Sequence, residues 1–158
     1  MNIAFIDIDG VIAIKWDTLC PVRLKLLKDI CDKGNASVVL SSTWRTLPGP
    51  FQRVKDAFKV FSIPFIGATP DLFPDGNRID EIVFWIEQNK PDNWVVIDDW
   101  DLNNFPNATA DFNAHFVQTD ERLGLERSDA EKAISILLKT DFKFWNAFDE
   151  AREGGAKW

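Results

Sequence analysis

The chain has 158 residues, 46% of them apolar, and a net charge of −7 at neutral pH. That apolar share excludes a disordered segment, and the length fits one domain with a sizeable core, taken as residues 1–158. The negative balance excludes a strong sequence-independent grip on a polyphosphate backbone, and no apolar run is long enough to span a bilayer.

Ile3 to Ile8 reads as a strand buried on both faces. Asp7 and Asp9 interrupt it at its C-terminal end, two positions apart and so on one face while the strand stays regular. Gly10 follows as a turn residue, which would let both carboxylates reach one point. A basic leader is missing ahead of this strand, so no signal peptide is expected. Val11 to Cys20 is a connection carrying Lys15, Trp16 and Asp17. Pro21 opens a helix with Val22, Leu24, Leu27, Ile30 and Cys31 at helical spacing, and Gly34 closes it. Cys20 and Cys31 are too few for a disulfide framework and read as buried, reduced thiols of a cytoplasmic protein.

Ser37 to Leu40 is a second buried strand, ending in Ser41-Ser42-Thr43-Trp44-Arg45. Leu47 to Pro50 reads as a turn. Phe51, Val54, Ala57 and Phe58 mark a helix whose wet side holds Arg53, Lys55 and Lys59. Ile63 to Ile66 is a third strand, placed at a sheet edge by Pro64. After a loop from Ala68 to Gly76, Asn77 caps a helix with Ile79, Ile82, Val83 and Ile86 inward. Arg78 lies in its first turn, where a cation opposes the helix dipole, which hints at a use elsewhere. Trp94 to Ile97 is another apolar strand, followed by Asp98-Asp99-Trp100-Asp101. Phe116-Val117 is a fifth, begun by His115, for which a surface or packing role is favoured over a catalytic one. Ser128 and Glu131 form a capping box for a helix to Leu138, and residues 141–152 form a last, aromatic helix.

This alternation gives an α/β fold, a Rossmann-like three-layer sandwich with a mostly parallel five-stranded sheet and a core of about residues 2–138. Ligands of such sheets bind beyond the C-terminal strand ends. Asp7, Asp9, Ser41, Ser42, Asp98 and Asp99 all fall there. Oxygen donors with no Cys or His cluster suit Mg²⁺, which keeps positions open for water and a phosphate oxygen. Of two adjacent acids, one can act as nucleophile and the other as general acid/base.

Asp-x-Asp-Gly after one strand, Ser after a second and Asp-Asp after a later one resemble the haloacid dehalogenase (HAD) superfamily. The similarity runs from about Asn2 to Leu138 and is closest to the HAD domains of phage and RNA-repair proteins. The phrases Ser41-Ser42-Thr43-Trp44-Arg45, Arg78-Ile79-Asp80-Glu81-Ile82, Ile97-Asp98-Asp99 and Gln118-Thr119-Asp120 carry it. The resemblance implies an Mg²⁺-dependent phosphatase acting through aspartyl-phosphate. Asp7 would be nucleophile and metal ligand, and Asp9 the general acid/base, binding metal through its carbonyl. Asp98 and Asp99 would complete the metal site. Gly10, Ser41, Ser42 and Arg45 form the substrate-binding set, with Ser41 ahead of Ser42 as the phosphate hydroxyl. The superfamily's third motif is usually Lys; Arg78 is the best-placed cation here, with Lys90 and Arg45 as rivals. The gaps between motifs leave no room for a cap domain. An open site suits a large substrate, such as a nucleic-acid end or phosphoprotein, or a partner that closes it; a nucleic-acid end or nucleotide phosphate is the favoured substrate. A metabolite phosphatase and a catalytically silent binding module are the alternatives. Trp16, Trp44 and Trp100 follow catalytic strand ends and either stack on a base there or pack the core.

Overall fold

The computed structural model describes residues 1–15 and 18–140. Trp16, Asp17 and the expected C-terminal helix at 141–152 lie outside the described residues. The described strands are β1 Asn2–Ile6, β2 Ala36–Leu40, β3 Phe65–Ala68, β4 Asn93–Asp98 and β5 Phe116–Gln118. Between and after them come α1 Pro21–Gly34, α2 Pro48–Val60, α3 Arg78–Asn89, α4 Ala110–Ala114 and α5 Arg127–Leu138. The five strands form one sheet in the order β3-β2-β1-β4-β5, and every pairing is parallel. The strand order reverses between β1 and β4, the place where open α/β sheets form a ligand crevice.

Strand alternation divides the core in two. Ala4 and Ile6 of β1 join Val38, Leu40, Val95 and Ile97 under α1, α2 and α5. Ile3 and Phe5 join Val39 and Val96 against Ile79 and Ile82 of α3 and Phe112 of α4. No residue of β1 from Ile3 to Ile6 is exposed, which is why the strand is apolar without alternation. Between β1 and β2 the described residues hold α1 as the sole element. Between β2 and β4 they hold a single 3-10 turn at Thr43–Thr46, α2, β3 and α3, so neither gap carries a cap domain.

Several boundaries differ from the sequence reading. Pro48 and Pro50 lie in the first turn of α2 rather than in a preceding turn, because backbone N–H groups there have no helical partner to lose. The third strand begins at Phe65, after Pro64, and does form the sheet edge. Asn35, not Gly34, takes the left-handed position after α1, with φ 50°. Gly34 is small for another reason: a Cβ there would lie 2.6 Å from Leu137 Cδ1 of α5. The capping box of α5 sits two residues earlier than expected and uses carboxylates, Glu126 with Asp129. Val83 is 38% exposed rather than inward. His115 closes α4 instead of beginning β5, and its ring stacks on Trp94 at 4.1 Å. Cys20 is half-buried. Cys31 is buried, which pushes its thiol up to about 12 and keeps it inert.

The connection after β1 is tightly pinned. The amides of Val11, Ile12 and Ala13 all donate to the Ile8 carbonyl. The Thr119 hydroxyl, one residue past β5, donates to the buried Gly10 carbonyl at 2.8 Å, and the Leu125 amide donates to the Val11 carbonyl at 2.8 Å. Thr119→Val keeps the shape of the side chain and leaves the Gly10 carbonyl without its donor. Urea denaturation should show a loss of about 1–3 kcal/mol for this variant.

Candidate active site

Register builds the site. Ile6 pairs with Leu40 on one side and Ile97 on the other, so the next residues of the three strands are Asp7, Ser41 and Asp98. Asp7 N–H still donates to the Ile97 carbonyl, and Ser41 N–H to the Ile6 carbonyl. All three continue the parity of Phe5, Val39 and Val96, the face that packs on α3. Arg78 is the first residue of α3, and the same face brings it to them. Its Nη1 donates to Asp98 Oδ2 at 2.7 Å and lies 3.3 Å from Asp7 Oδ2, with all three side chains almost fully buried. The cation that opposes the helix dipole is thus held by two carboxylates, and the α3 N-terminus is served separately by the Asn77–Asp80 capping box. The exposed Trp100 ring covers the guanidinium, 4.4 Å from its centroid. Lys90 closes the opposite end of α3 and is remote from these groups.

Carboxylate oxygens of Asp7, Asp98 and Asp99 lie within 4.8 Å of one another, close to the span of one oxygen-coordinated dication. Burial, then repulsion from Asp98, holds the Asp7 carboxyl well above its ordinary range, with Arg78 opposing. Burial also raises Asp99, beside Asp7 and Asp98. Asp99 Oδ1 is buried with no hydrogen-bond partner among the described residues. A shared proton or a bound cation would relieve such a cluster, and all-oxygen donors suit Mg²⁺. Gly10 makes the cluster possible: its φ is +74°, and a Cβ would lie 2.4 Å from Asp99 Oδ2.

Other candidates fall into place differently. Asp9 is half-buried and its carboxylate stands outside the acidic cluster, because the strand's alternation ends in the turn at Ile8. Its Oδ2 accepts from Trp44 Nε1 at 2.9 Å. Trp44 is therefore a buried partner of Asp9 and not a stacking platform. Ser41 Oγ is fully buried without a hydrogen-bond partner among the described residues, beside Asp7 at the end of β2. The Ser42 hydroxyl instead accepts from Trp44 N–H and caps the 3-10 turn. Gly10 uses its N–H on Ala13 and its carbonyl on Thr119, so its backbone is turned inward and is no substrate contact.

Arg45 is likewise committed to the fold. It donates to the carbonyls of Ser42, Thr69 and Pro70 and pairs with buried Glu81 at 2.8 Å. Glu81 in turn accepts from the Leu72 amide at 3.1 Å. This pair ties the turn after β2 to the loop after β3 and to α3. Sequence reading passed over Glu81, although an acid three residues after Arg78 and next to inward Ile82 signals a buried pair. It also passed over Thr119 as a lock, although Thr119 follows β5 as Ser41 follows β2. Nothing in the sequence could have linked Trp44 to Asp9.

Two hollows flank the cluster, separated by Trp100. One of about 580 Å³ is lined by Asp9, Gly10, Asp99, Trp100 and Arg122 among others. The other, about 590 Å³, runs over Arg78 between Thr43, Phe73 and Trp100. A larger hollow of about 700 Å³ lies at the other end of β4 around Trp94 and His115, far from the convergent acids.

An all-parallel five-stranded sheet, acids at the ends of its two central strands and no inserted cap define a HAD-type hydrolase fold. The family model of the HAD domain in Swiss Army Knife RNA repair proteins matches residues 3–130, and the chain belongs to that family. No curated protein and no solved structure matches it. No described helix is long and apolar enough to cross a membrane.

If the acidic cluster is a metal site, Asp99→Asn should raise the melting temperature of chelator-treated protein and erase the rise that saturating Mg²⁺ gives the wild type. At 100 times the dissociation constant that rise corresponds to about 2.7 kcal/mol. The sign with pH follows from the raised carboxyl. It stays protonated in the fold above its ordinary range, so the metal-free wild type loses stability as pH rises through the raised value. The advantage of Asp99→Asn should therefore grow as pH rises from the ordinary carboxylate range through the raised value, and vanish below that range.

Proposed function

We propose that the protein is a Mg²⁺-dependent phosphohydrolase that works through an aspartyl-phosphate on Asp7, acting on a nucleic-acid end or nucleotide phosphate. The observation that carries this reading is the convergence of Asp7, Asp98 and Asp99 beside the orphaned hydroxyl of Ser41. Asp7, Asp98, Asp99 and the Asp9 carbonyl would hold Mg²⁺, which neutralises charge on the phosphoryl oxygens.

The chain's own groups do the rest. Asp7 carries the nucleophilic oxygen, and Arg78 opposes the burial and the Asp98 repulsion that raise its carboxyl. Ser41 Oγ is a donor for a phosphoryl oxygen, which would satisfy it. Asp9 gives its proton to the departing ester oxygen, then takes one from the water that cleaves the aspartyl-phosphate. Arg78 stands as third-motif cation, since Arg45 is consumed by Glu81 and Lys90 is distant.

The surroundings favour recognition of a single end over a grip along a strand. Asp71 and Asp75 line the hollow over Arg78, and Glu121 lines the other, so a run of phosphates would meet like charge. Trp100, 50% exposed, and Phe73, 83% exposed, offer ring faces to a terminal base on the Arg78 side. The RNA-repair setting of the family points the same way.

Asp7→Asn should lower Mg²⁺-dependent turnover of an oligonucleotide 3′-phosphate by about 10³-fold or more, with no radiolabelled phosphoenzyme on acid quench. Activity in neither protein on any phosphate ester would favour a binding module. Trp100→Ala should raise KM for the oligonucleotide by about 10-fold while leaving KM for an aryl phosphate nearly unchanged. Equal effects on both would favour a small-metabolite substrate.

A further inference from the structure

Trp44 is 6% exposed, yet its indole N–H is spent on a carboxylate and not on a backbone carbonyl. The ring is fixed from several sides. Its own amide is bonded to Ser42 Oγ at 3.2 Å, it packs in the core cluster beneath α2, and the Arg53 guanidinium lies over it at 5.2 Å. Asp9 has no other side-chain hydrogen bond among the described residues, and it lines the hollow next to Asp99. An indole N–H donates and never accepts. The oxygen facing it, Oδ2, is therefore the wrong place for a proton, and Oδ1 is left to carry one.

We propose that Trp44 is the positioning residue for Asp9: it fixes the carboxyl by Oδ2, reserves Oδ1 for proton exchange, and stabilises the carboxylate as it forms. The inference builds on the reading of Asp9 as general acid. In the first step the bond from phosphorus to the ester oxygen breaks as the bond to Asp7 forms. The Oδ1 proton passes to that ester oxygen, which leaves as the alcohol. Asp9 turns from neutral acid to anion in the same step. The bond from Trp44 becomes charge-assisted at that moment, so it is stronger in the transition state than in the ground state.

This makes the effect depend on the leaving group. An alkyl phosphate needs the proton, whereas a dinitrophenyl phosphate departs without it. The test is rapid-quench measurement of the first step in wild type, Trp44→Phe and Asp9→Asn, with both substrates. Trp44→Phe should slow alkyl phosphate cleavage about 10-fold and dinitrophenyl phosphate cleavage by less than about 3-fold. Asp9→Asn should show the same discrimination with a larger loss. Equal slowing of both substrates in Trp44→Phe, or slowing of neither, would overturn the proposal. Lack of discrimination in Asp9→Asn would instead remove the reading of Asp9 beneath it. Should Trp44→Phe not fold, replacing Trp44 alone by its benzothiophene analogue keeps the ring shape and deletes only the N–H, and the same ratio decides.

Discussion

The site depends on one buried guanidinium. Asp7 and Asp98 are carried to adjacent strand ends by register and would repel each other in a water-poor setting. Arg78 lies against both and compensates them, and the sheet face that packs on α3 is the reason it can. Buried ion pairs add little net stability, but removing one member is costly because the other charge is stranded. The arrangement is therefore better understood as fixing geometry than as strengthening the fold. Among the described residues it leaves Asp99 as the acid of the cluster with no ion pair to a protein cation, and so the one for which a dication would have most to offer.

Much of this was legible in the sequence. Apolar runs of three or four residues gave the expected strands at 3–8, 37–40 and 94–97, and their termination by acids or hydroxyls gave the strand tips. The alternation of elements gave a parallel sheet, and Arg78 at a dipole-opposing position was a signal that its partners lay elsewhere. What failed was local. Proline and glycine at 47–50 and Gly34 were read as punctuation, whereas Pro48 opens a helix and Gly34 admits Leu137. Punctuation rules describe what a residue permits in isolation, and packing decides which permission is used.

The site residues divide along the same line. Groups on a strand or one residue past it lie where parity and register, which propagate along regular backbone, carry them. Groups two or more residues past a strand end do not: Asp9 leaves the plane of Asp7, Arg45 turns to Glu81, and Ser42 caps its own turn. Each of these is decided by partners 35 or 36 positions away for Asp9 and Arg45, or by turn geometry for Ser42. The comparison of Arg78 with Arg45 is instructive. Both are arginines with buried side chains, and what separates them is the acid each meets: Asp7 and Asp98 for Arg78, Glu81 for Arg45.

The placement of Asp7 and Ser41 one residue past β1 and β2, beside Asp98 at the last position of β4, has a mechanical meaning. Their relative positions inherit the stiffness of the sheet, so the crevice is a fixed template into which a ligand must fit. A slip of one residue in any of the three strands would turn its polar tip toward the opposite helical layer and dismantle the cluster while leaving a folded sheet. Length changes should therefore be tolerated very unequally: better in the turns at the opposite end of the strands, such as around Lys90 to Asp92, and hardly at all in the strands that lead to the acids.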